Sequence, residues 1–600
     1  MFDPRLYRAA LLMVVLAVLA GAFSLQSRPN PATTTLAPEA FSTVEAWRTL
    51  TQLHADFPDR RPGSAGEEAL GRLVATRLQQ ITKSRPEVDQ FEGATIDGKR
   101  TLLNVSATIP GAPGPGIVVV AHRDAAGHGA RAELSATAVL LELARVAAES
   151  DSRRTITFAS TSGGSGGLAG ARRLAEQLRN DPPLAVIVVG DSASRNTRKP
   201  TVIAWSNGKG QAPLRLQRSA QAAVRKETRR EPGAARAPKQ WGRMAFPLTV
   251  GEQGAFGREG IASVLIQASG ERGPAADAPV SQTRLQTYGR AVLRLIYALD
   301  QSHAEREAPQ AVLVAQGQRI PYWTIQLIVG ALLVVPLIVA VDGYARIRRR
   351  DERVGRWAVW TLSWSLPFIV ASALLLLLKV IGVIGVAPPS PIPGPSLDVG
   401  IGTTIGLISI FIVFALTLLF VRPFVLRFFA PDTLQQRPSR EGASVAVMLV
   451  VCVTALVAWA VNAYAAALLV PAVHLWLLAL SPEARLKWWG AVGLVLLSMS
   501  PLVALALIDA AAFGWSLHQL LWSVALLIAG GHASLPIWLL SSLILGSMMS
   551  ALMVAVRLER FAPVDTEAGS HGPGPRAGRR GFPRPLHRSR PLRRPRFRGH

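Results

Sequence analysis

The stretch from Gly116 to Arg172 constrains the fold more than any other part of the chain. Four apolar residues, 117–120, run directly into His122 and Asp124, which is typical of a buried strand that presents polar side chains at its carboxyl end. A helix pattern follows, and then a second strand over 155–159 leads into a glycine-rich turn and another helix. This order predicts an α/β domain with a mostly parallel sheet, whose ligands gather at the carboxyl ends of the strands.

Several segments resemble motifs of the di-zinc aminopeptidases of peptidase family M28, over roughly Ala46 to Asp300. The sequence AHRD at 121–124 is similar to the family's A-H-Y-D metal strand, and LLNVSATIPG is similar to its NVxAxxPG strand. The segments GARAELSATAVLLELAR, RTITFASTSGGSGGLAGAR and GEQGAFGREGIASV align with the family's remaining ligand-bearing patterns. The resemblance implies a three-layer sandwich of helices around a mostly parallel central sheet.

The resemblance also implies where the metal site of the family would lie. His122 stands at the first ligand position, Asp191 at a further one, and Asp124 where the family orients its histidine. The positions that have lost the family's side chains are Ala132 for the bridging aspartate, Gly164 for the glutamate base, Ser165 for the next ligand and Gln253 for the distal histidine. A catalytic zinc needs about three protein ligands and an open position for water. We therefore expect a degenerate metal site, no catalytic residue and no zinc cofactor.

Two acidic residues leave a second interpretation open. Glu133 follows the lost aspartate and Glu252 precedes the lost histidine, so a rearranged site for a single ion is conceivable. The chain would then be an active zinc-dependent membrane metallopeptidase of the aminopeptidase type. In the first interpretation it is a pseudopeptidase, and its pocket binds a polypeptide or partner subunit or is filled by its own side chains. The residues expected to line that pocket are His122, Asp124, Ser165, Asp191 and Gln253.

The amino terminus indicates export. Residues 1–25 combine a short basic lead with an apolar run of a length that spans a bilayer, which favours a signal anchor over a cleaved signal peptide. Either would place the next domain outside the cytoplasm. Residues 26–45, rich in Pro, Thr and Ala, predict a spacer before a domain over 46–300.

The carboxyl-terminal half is predicted to be an all-α bundle of about seven or eight transmembrane helices over 321–556, because long apolar runs recur there. The runs are 322–341, 358–386, 400–421, 444–461, 463–480, 488–508, 512–530 and 535–556. Polar residues weaken the first half of 512–530, so this run is the one expected to lie at the interface or re-enter. The architecture resembles that of the GPI transamidase peptidase-like subunit and of vacuolar and endoplasmic reticulum membrane metallopeptidases.

Charge predicts the orientation and the contacts of the chain. The formal net charge is +26, and the loop at 346–356 is strongly basic, which is typical of a cytoplasmic loop. The loop at 387–398 has no Lys or Arg and is expected outside. The Arg-rich tail at 557–600 is predicted to be disordered. We expect an integral protein of a bacterial plasma membrane that contacts anionic lipid through its basic loops and tail, with no specific nucleic-acid partner.

Three residues inside the apolar runs deserve a prediction of their own. Cys452 is the single cysteine, which excludes an intrachain disulfide and is typical of an apolar filler. Asp509 and His474 are ionisable, which in a membrane span indicates function. They form no continuous series with other ionisable residues, so the sequence does not favour a proton or ion path.

Overall fold

A computed structural model provides the fold. It describes residues 2–350, 354–385, 387–398, 400–431, 433, 440–484 and 486–557. The Arg-rich tail from residue 558 onward and part of the basic loop at 346–356 lie outside the described residues. The described chain consists of an α/β domain and a set of apolar helices.

The α/β domain is built on a seven-stranded sheet with the order β2-β3-β5-β4-β6-β8-β7. Its strands are β2 Glu87–Thr95, β3 Gly98–Ile109, β4 Ala112–His122, β5 Arg154–Thr161, β6 Ala185–Val189, β7 Val202–Ile203 and β8 Ser263–Ile266. The four central strands are parallel to one another. Strands β2, β3 and β7 add antiparallel edges. The predicted α/β fold is confirmed, with a sheet that is mixed and parallel at its centre.

Side chains of β4 alternate between two hydrophobic cores, as the two-residue period of a strand requires. Ile117 and Val119 pack into one core, whereas Val118 and Val120 pack into the other. Helices that cover the first face are Thr43–Asp56, Ala65–Thr82, Arg131–Ala148, Leu214–Thr228 and Gln282–Asp300. Helices on the opposite face are Ala169–Leu178, Ala237–Ala245 and Gln253–Arg258. The domain is therefore the three-layer sandwich that the resemblance implied.

The apolar helices account for the two ends of the described chain. They are Pro4–Ala22, Tyr322–Arg348, Val354–Ser363, Leu366–Val380, Ile401–Leu416 with its continuation Thr417–Val421 and Arg422–Phe429, Arg440–Val461, Ala463–Ala467, Val470–Ala479, Trp488–Leu497, Ser500–Phe513, Leu517–Ala529 and Leu535–Arg557. Among the described residues, six helical stretches are long and apolar enough to cross a membrane. A pair bent by 43° would make seven. These helices are typical of a membrane protein, and their crossing of a bilayer stays a prediction.

This number is smaller than the nine runs that apolarity alone predicts, because three runs are interrupted. Asn462 caps a five-residue helix, and a new helix begins just before Pro471. Gly514 ends another helix in the left-handed conformation at φ 75°, and Ser516 caps the next one. The bent pair interrupts the run at 488–508. Helix breaks within an apolar run do not change its hydropathy, so they are invisible to a count of apolar residues.

The segment after the first helix is a packed part of the domain, although 26–45 was predicted to be a spacer. Strand β1, Gln26–Ser27, pairs with β10, Gln318–Ile320, which pairs with β9, Leu313–Ala315. Phe41 is 1% exposed within the core. Helix Pro4–Ala22 precedes β1, and helix Tyr322–Arg348 follows β10. Because β1 and β10 are paired, these two helices lie close together, and Ser24 Oγ lies 2.6 Å from Thr324 Oγ1.

Both ionisable residues singled out in the apolar runs have specific partners. His474 Nδ1 lies 2.7 Å from the hydroxyl of Tyr7, and its Nε2 lies 3.0 Å from the carbonyl oxygen of Leu332. This imidazole therefore links the first helix to the bundle. Asp509 Oδ1 lies 3.4 Å from Nη1 of Arg243, a residue of the α/β domain. These contacts give both residues a role in packing. Cys452 is buried, as expected of an apolar filler.

Candidate functional site

The residues singled out in the sequence converge at the carboxyl edge of the sheet. His122 ends β4, Asp191 follows β6, and Gly164 and Ser165 lie in the turn after β5. All four line one cavity of about 60 Å³. Glu133 and Glu252 line the same cavity. Parallel strands end at the same edge, which explains why the sequence could predict this convergence.

Two of the five residues expected to line the pocket lie beside it. Asp124 and Gln253 are not among the lining residues of the cavity. The Gln253 amide is buried and donates from Nε2 to the carbonyl oxygen of Trp205 at 3.2 Å and to Thr249 Oγ1 at 3.0 Å. Ala132, at the position of the bridging aspartate, is fully buried in its helix. These positions therefore contribute to packing and to internal hydrogen bonds.

Asp124 holds the glycine-rich turn more closely than it holds His122. Its Oδ1 accepts the Gly164 N–H at 2.9 Å, and its Oδ2 accepts the N–H and hydroxyl of Ser165 at 2.9 and 2.5 Å. His122 Nδ1 lies 3.7 Å from Asp124 Oδ1 but 3.1 Å from the Asp124 carbonyl oxygen. The predicted role of Asp124 in orienting the histidine is thus electrostatic at this distance, and its hydrogen bonds fix the turn.

Position 164, which bears the catalytic base in the family, has no room for a side chain. A Cβ atom added to Gly164 would lie 2.4 Å from the Cβ atom of His122 and 2.6 Å from its Cγ atom. Such separations are far inside van der Waals contact, and the obstructing atoms belong to the root of the His122 side chain, next to the backbone of β4. A glutamate at this position would require His122 and its strand end to move.

Burial and neighbouring charges have opposite effects on the pKa values of the ionisable side chains at the site. Burial disfavours the imidazolium of His122, but Asp124, Glu252 and Glu133 outweigh burial and raise the pKa of His122 to about 10. Burial likewise opposes the charged form of Asp124, yet its contact with His122 lowers the pKa of Asp124 to about 2. Burial raises the pKa of Glu133 to about 7 and also raises the pKa values of Glu252 and Asp191. The site therefore favours an internal imidazolium–carboxylate pair beside weakly acidic carboxyl groups.

The zinc pair of the family does not fit the residues as the structure arranges them. Three carboxylate oxygens of the site are buried without a hydrogen-bond partner: Asp191 Oδ2, Glu133 Oε2 and Glu252 Oε2. They line the same cavity. Within the described part of the chain, however, no three His, Cys, Asp or Glu side chains come close enough to share an ion. Side chains of the types that bind zinc therefore line the cavity, but they do not lie close enough together to share an ion.

A proline-rich loop from the apolar half covers the mouth of this cavity, which the sequence did not reveal. Pro393, Pro395 and Ser396 line it. Ser390 Oγ donates to the carbonyl oxygen of Gly167 at 2.8 Å, which holds the loop against the glycine-rich turn. All residues of that turn are buried. The pocket is therefore closed in large part by the chain itself.

The indole of Trp515 fixes this loop from the side of the bundle, by donating to the carbonyl oxygen of Ile392 at 2.8 Å. Gln519 adds hydrogen bonds to the carbonyl oxygens of Gly394 and Leu397 at 3.0 and 3.1 Å. Proline fixes backbone torsion angles in advance, so ordering such a loop costs less entropy than ordering a flexible one. The absence of Lys and Arg from 387–398 and its proline content are the signals in the sequence that agree with this docking.

Comparisons with known proteins agree with the motifs. The family model described as Peptidase family M28 matches residues 104–239. A comparison with curated proteins found no match. Among solved structures, a glutaminyl cyclase from an Acidobacteriales bacterium is 18% identical, with 46% of this chain and 99% of that chain covered and a TM-score of 0.34.

Two other solved structures are similar to part of this chain. The zinc aminopeptidase BSAP from Bacillus subtilis is 13% identical, with coverage of 45% of this chain and 98% of that chain and a TM-score of 0.35. LapB from Legionella pneumophila is 16% identical, with coverage of 48% and 80% and a TM-score of 0.36. Because the family model matches residues 104–239, the α/β domain resembles peptidase family M28, as its motifs predicted.

Proposed function

We propose that this chain is a multi-pass membrane protein whose M28-like domain lies outside the cytoplasm and does not hydrolyse peptides. The observation that carries the proposal is the crowding at Gly164. Hydrolysis needs a base within hydrogen-bond reach of the attacking water. The position that supplies this base in the family lacks both a carboxylate and the space for one. The domain then serves as a pseudopeptidase that binds or scaffolds polypeptide.

The docked loop at 387–398 supports the scaffolding role. A cavity of about 60 Å³ is far below the roughly 300–1,000 Å³ of sites that enclose a small molecule. The edge of the former site therefore holds an internal polypeptide segment, and it fixes the domain on the bundle. A partner subunit would contact the assembled surface of domain and bundle, or would displace this loop to reach the cavity.

The second candidate function is an active zinc-dependent membrane metallopeptidase with a divergent site. It is favoured by the three unpaired carboxylate oxygens of Glu133, Asp191 and Glu252, which face one cavity with His122. These side chains would have to converge before they could share an ion. Metal analysis separates the two candidates.

We expect the full-length protein, purified in detergent and equilibrated with micromolar zinc, to retain no tightly bound ion after gel filtration, and to cleave no aminoacyl substrate. Metal is counted by plasma mass spectrometry. The matched variants are His122→Ala at the site and His128→Ala, which removes an exposed histidine from the same domain. One ion per chain that survives His128→Ala but is lost with His122→Ala would support the metallopeptidase and reject the pseudopeptidase.

The proposed orientation gives a second expected result. Reporter fusions placed after Ser302 and after Arg350 should report opposite compartments in a bacterial host, because one apolar helix, Tyr322–Arg348, lies between them. Alkaline phosphatase should be active at Ser302, and green fluorescent protein should fluoresce at Arg350. The same compartment at both positions would contradict a membrane crossing by this helix.

A further inference from the structure

A chamber of about 1150 Å³ lies between the α/β domain and the bundle. We call it the junction chamber. Its walls come from the domain on one side and from three apolar helices on the other, Leu366–Val380, Ile401–Leu416 and Leu517–Ala529. It shares Glu133, Pro274, Pro395 and Ser396 with the small cavity of the former site. Its volume exceeds the roughly 300–1,000 Å³ of common small-molecule sites.

The two sides of the junction chamber differ in polarity. The helices contribute apolar side chains, of which the largest set is Leu375, Leu378, Ile405, Ile410, Trp522 and Leu526. The charged residues that line the described walls are Arg61, Asp97, Glu133 and Asp398. Three carboxylates against one guanidinium favour a positively charged group over an anion. A ligand that fits both sides has an apolar tail and a polar head with a cationic centre.

Glu133 identifies where that cationic centre would lie. Its Oε2 atom is buried and has no hydrogen-bond partner. An unpaired buried carboxylate oxygen is costly and is stabilised by a hydrogen bond from a charged donor. Arg61 lies in the same wall, 3.7 Å from Asp97 through its Nη1 atom, and its side chain is 58% exposed, so its remaining donors are free for a phosphate.

One wall of the junction chamber is a single helix that faces the surroundings. Ile401–Leu416 has no buried residue, and Ile405, which lines the chamber, is 59% exposed. Phe411 on the same helix is 71% exposed. In a membrane, acyl chains cover this surface, because a large patch of exposed apolar side chains is unfavourable in water. Lipid therefore lies directly beside the chamber.

We propose that the junction chamber binds one membrane phospholipid whose headgroup ends in a primary ammonium. Its acyl chains lie among the three apolar helices, its ammonium donates to Glu133, and its phosphate accepts from Arg61. The inference rests on the proposed function in one respect, because Glu133 can receive the ammonium only if it holds no metal ion. Its occupant is a lipid because the apolar wall faces the bilayer, and an aminophospholipid because the chamber carries more carboxylates than cations.

The test uses the full-length chain reconstituted in vesicles of phosphatidylethanolamine and phosphatidylglycerol in equal amounts, with identical acyl chains. After detergent extraction and washing, the lipid that remains is measured by mass spectrometry. A hydrogen bond between charged groups predicts about tenfold enrichment of phosphatidylethanolamine or more. Glu133→Gln should abolish this enrichment. Retained lipid in the ratio of the vesicles would overturn the proposal.

A filled chamber gives an independent arm. A Cβ atom added at Gly402, which lines the junction chamber, meets no heavy atom within 4 Å, so Gly402→Phe can occupy its space. The variant should lower retained phosphatidylethanolamine about tenfold. Gly493→Phe is the matched control, because Gly493 has equal space on a helix outside the chamber and should retain lipid like the wild type. Equal retention by both variants would contradict the proposal.

A third arm requires no variant of the protein. Phosphatidylethanolamine that is acetylated on its nitrogen keeps its phosphate and acyl chains but loses the ammonium. We expect the wild-type chain not to enrich it over phosphatidylglycerol. Enrichment equal to that of the unmodified lipid would show that the ammonium is not recognised.

Discussion

Arg123→Ala is expected to lower the free energy of unfolding of the α/β domain by about 3–5 kcal/mol. Arg123 is fully buried at the centre of the sheet edge, and its Nη2 atom lies 2.5 Å from Oε1 of Glu67, which is 1% exposed. Nη1 also donates to the carbonyl oxygen of Ser160 at 3.1 Å, and Nη2 to that of Leu103 at 2.5 Å. Nε donates to the carbonyl oxygen of Glu67 at 3.4 Å, so removal of the guanidinium leaves a buried carboxylate and three carbonyl groups without this partner.

Thermal unfolding of the purified full-length protein measures this effect, with an expected fall of about 6–20 °C in the transition of the domain. Arg72→Ala is the matched control, since Arg72 forms an exposed pair with Glu68 at 2.6 Å and should cost no more than about 1 kcal/mol. The double variant Arg123→Met with Glu67→Leu should recover most of the loss, because neither partner of the pair remains as an uncompensated buried charge. Equal stability of Arg123→Ala and the wild type would show that the buried pair does not stabilise the fold.

The same ion pair shows the limit of what the sequence could predict. Apolar residues at 117–120 identified β4, and a mostly parallel sheet followed from the alternation of strands and helices. His122 and Asp191 could be brought together in advance because both follow parallel strands. Arg123 and Glu67 are 56 positions apart, and each lies in a segment whose local pattern is satisfied without the other. Their pairing depends on tertiary packing, which the hydrophobic periodicity of a single segment does not predict.

The candidate site likewise has features that the sequence predicted and features that depend on tertiary packing. The loss of family ligands at Gly164 and Ser165 was visible in the sequence. The closure of position 164 by His122, and the three hydrogen bonds from this turn to Asp124, are consequences of how closely the turn approaches the strand end. Ser390 of the loop at 387–398 is 223 positions from Gly167 of the turn that it covers. The sequence described its composition, but its docking partner is set by the contact between domain and bundle.

That contact includes a buried cation shared by the two halves of the chain. Arg243 is 2% exposed; its Nη2 lies 3.0 Å from Oε2 of Glu271 in the domain, and its Nη1 lies 3.4 Å from Oδ1 of Asp509 in the bundle. Its guanidinium carbon lies 4.4 Å from the ring centre of Phe513. Arg243 therefore lies between two buried carboxylates that would otherwise repel each other, and Lys239 adds a longer contact to Glu271 Oε2 at 3.6 Å.

Arg243→Ala is expected to weaken the docking of the domain on the bundle by about 3 kcal/mol or more, which corresponds to about a 100-fold higher population of the undocked form. Ser390→Cys reports it: Ser390 is 3% exposed against the domain, and the native Cys452 is 1% exposed, so maleimide labelling of the docked form should be slow. In the Arg243→Ala background the labelling rate should rise by about the same factor, provided that undocking precedes labelling.

The electrostatic origin of this effect is tested by removing the charges that Arg243→Ala leaves behind. Adding Glu271→Gln and Asp509→Asn to Arg243→Ala should return the labelling rate most of the way to that of Ser390→Cys alone, because the repulsion is gone although the guanidinium is still missing. Arg225→Ala provides the control for loss of a cation, since Arg225 pairs with Glu231 at 3.4 Å on the surface and should not change the rate. If the triple change labels as fast as Arg243→Ala, lost packing against Phe513 outweighs the charges, and the junction is held by apolar contact.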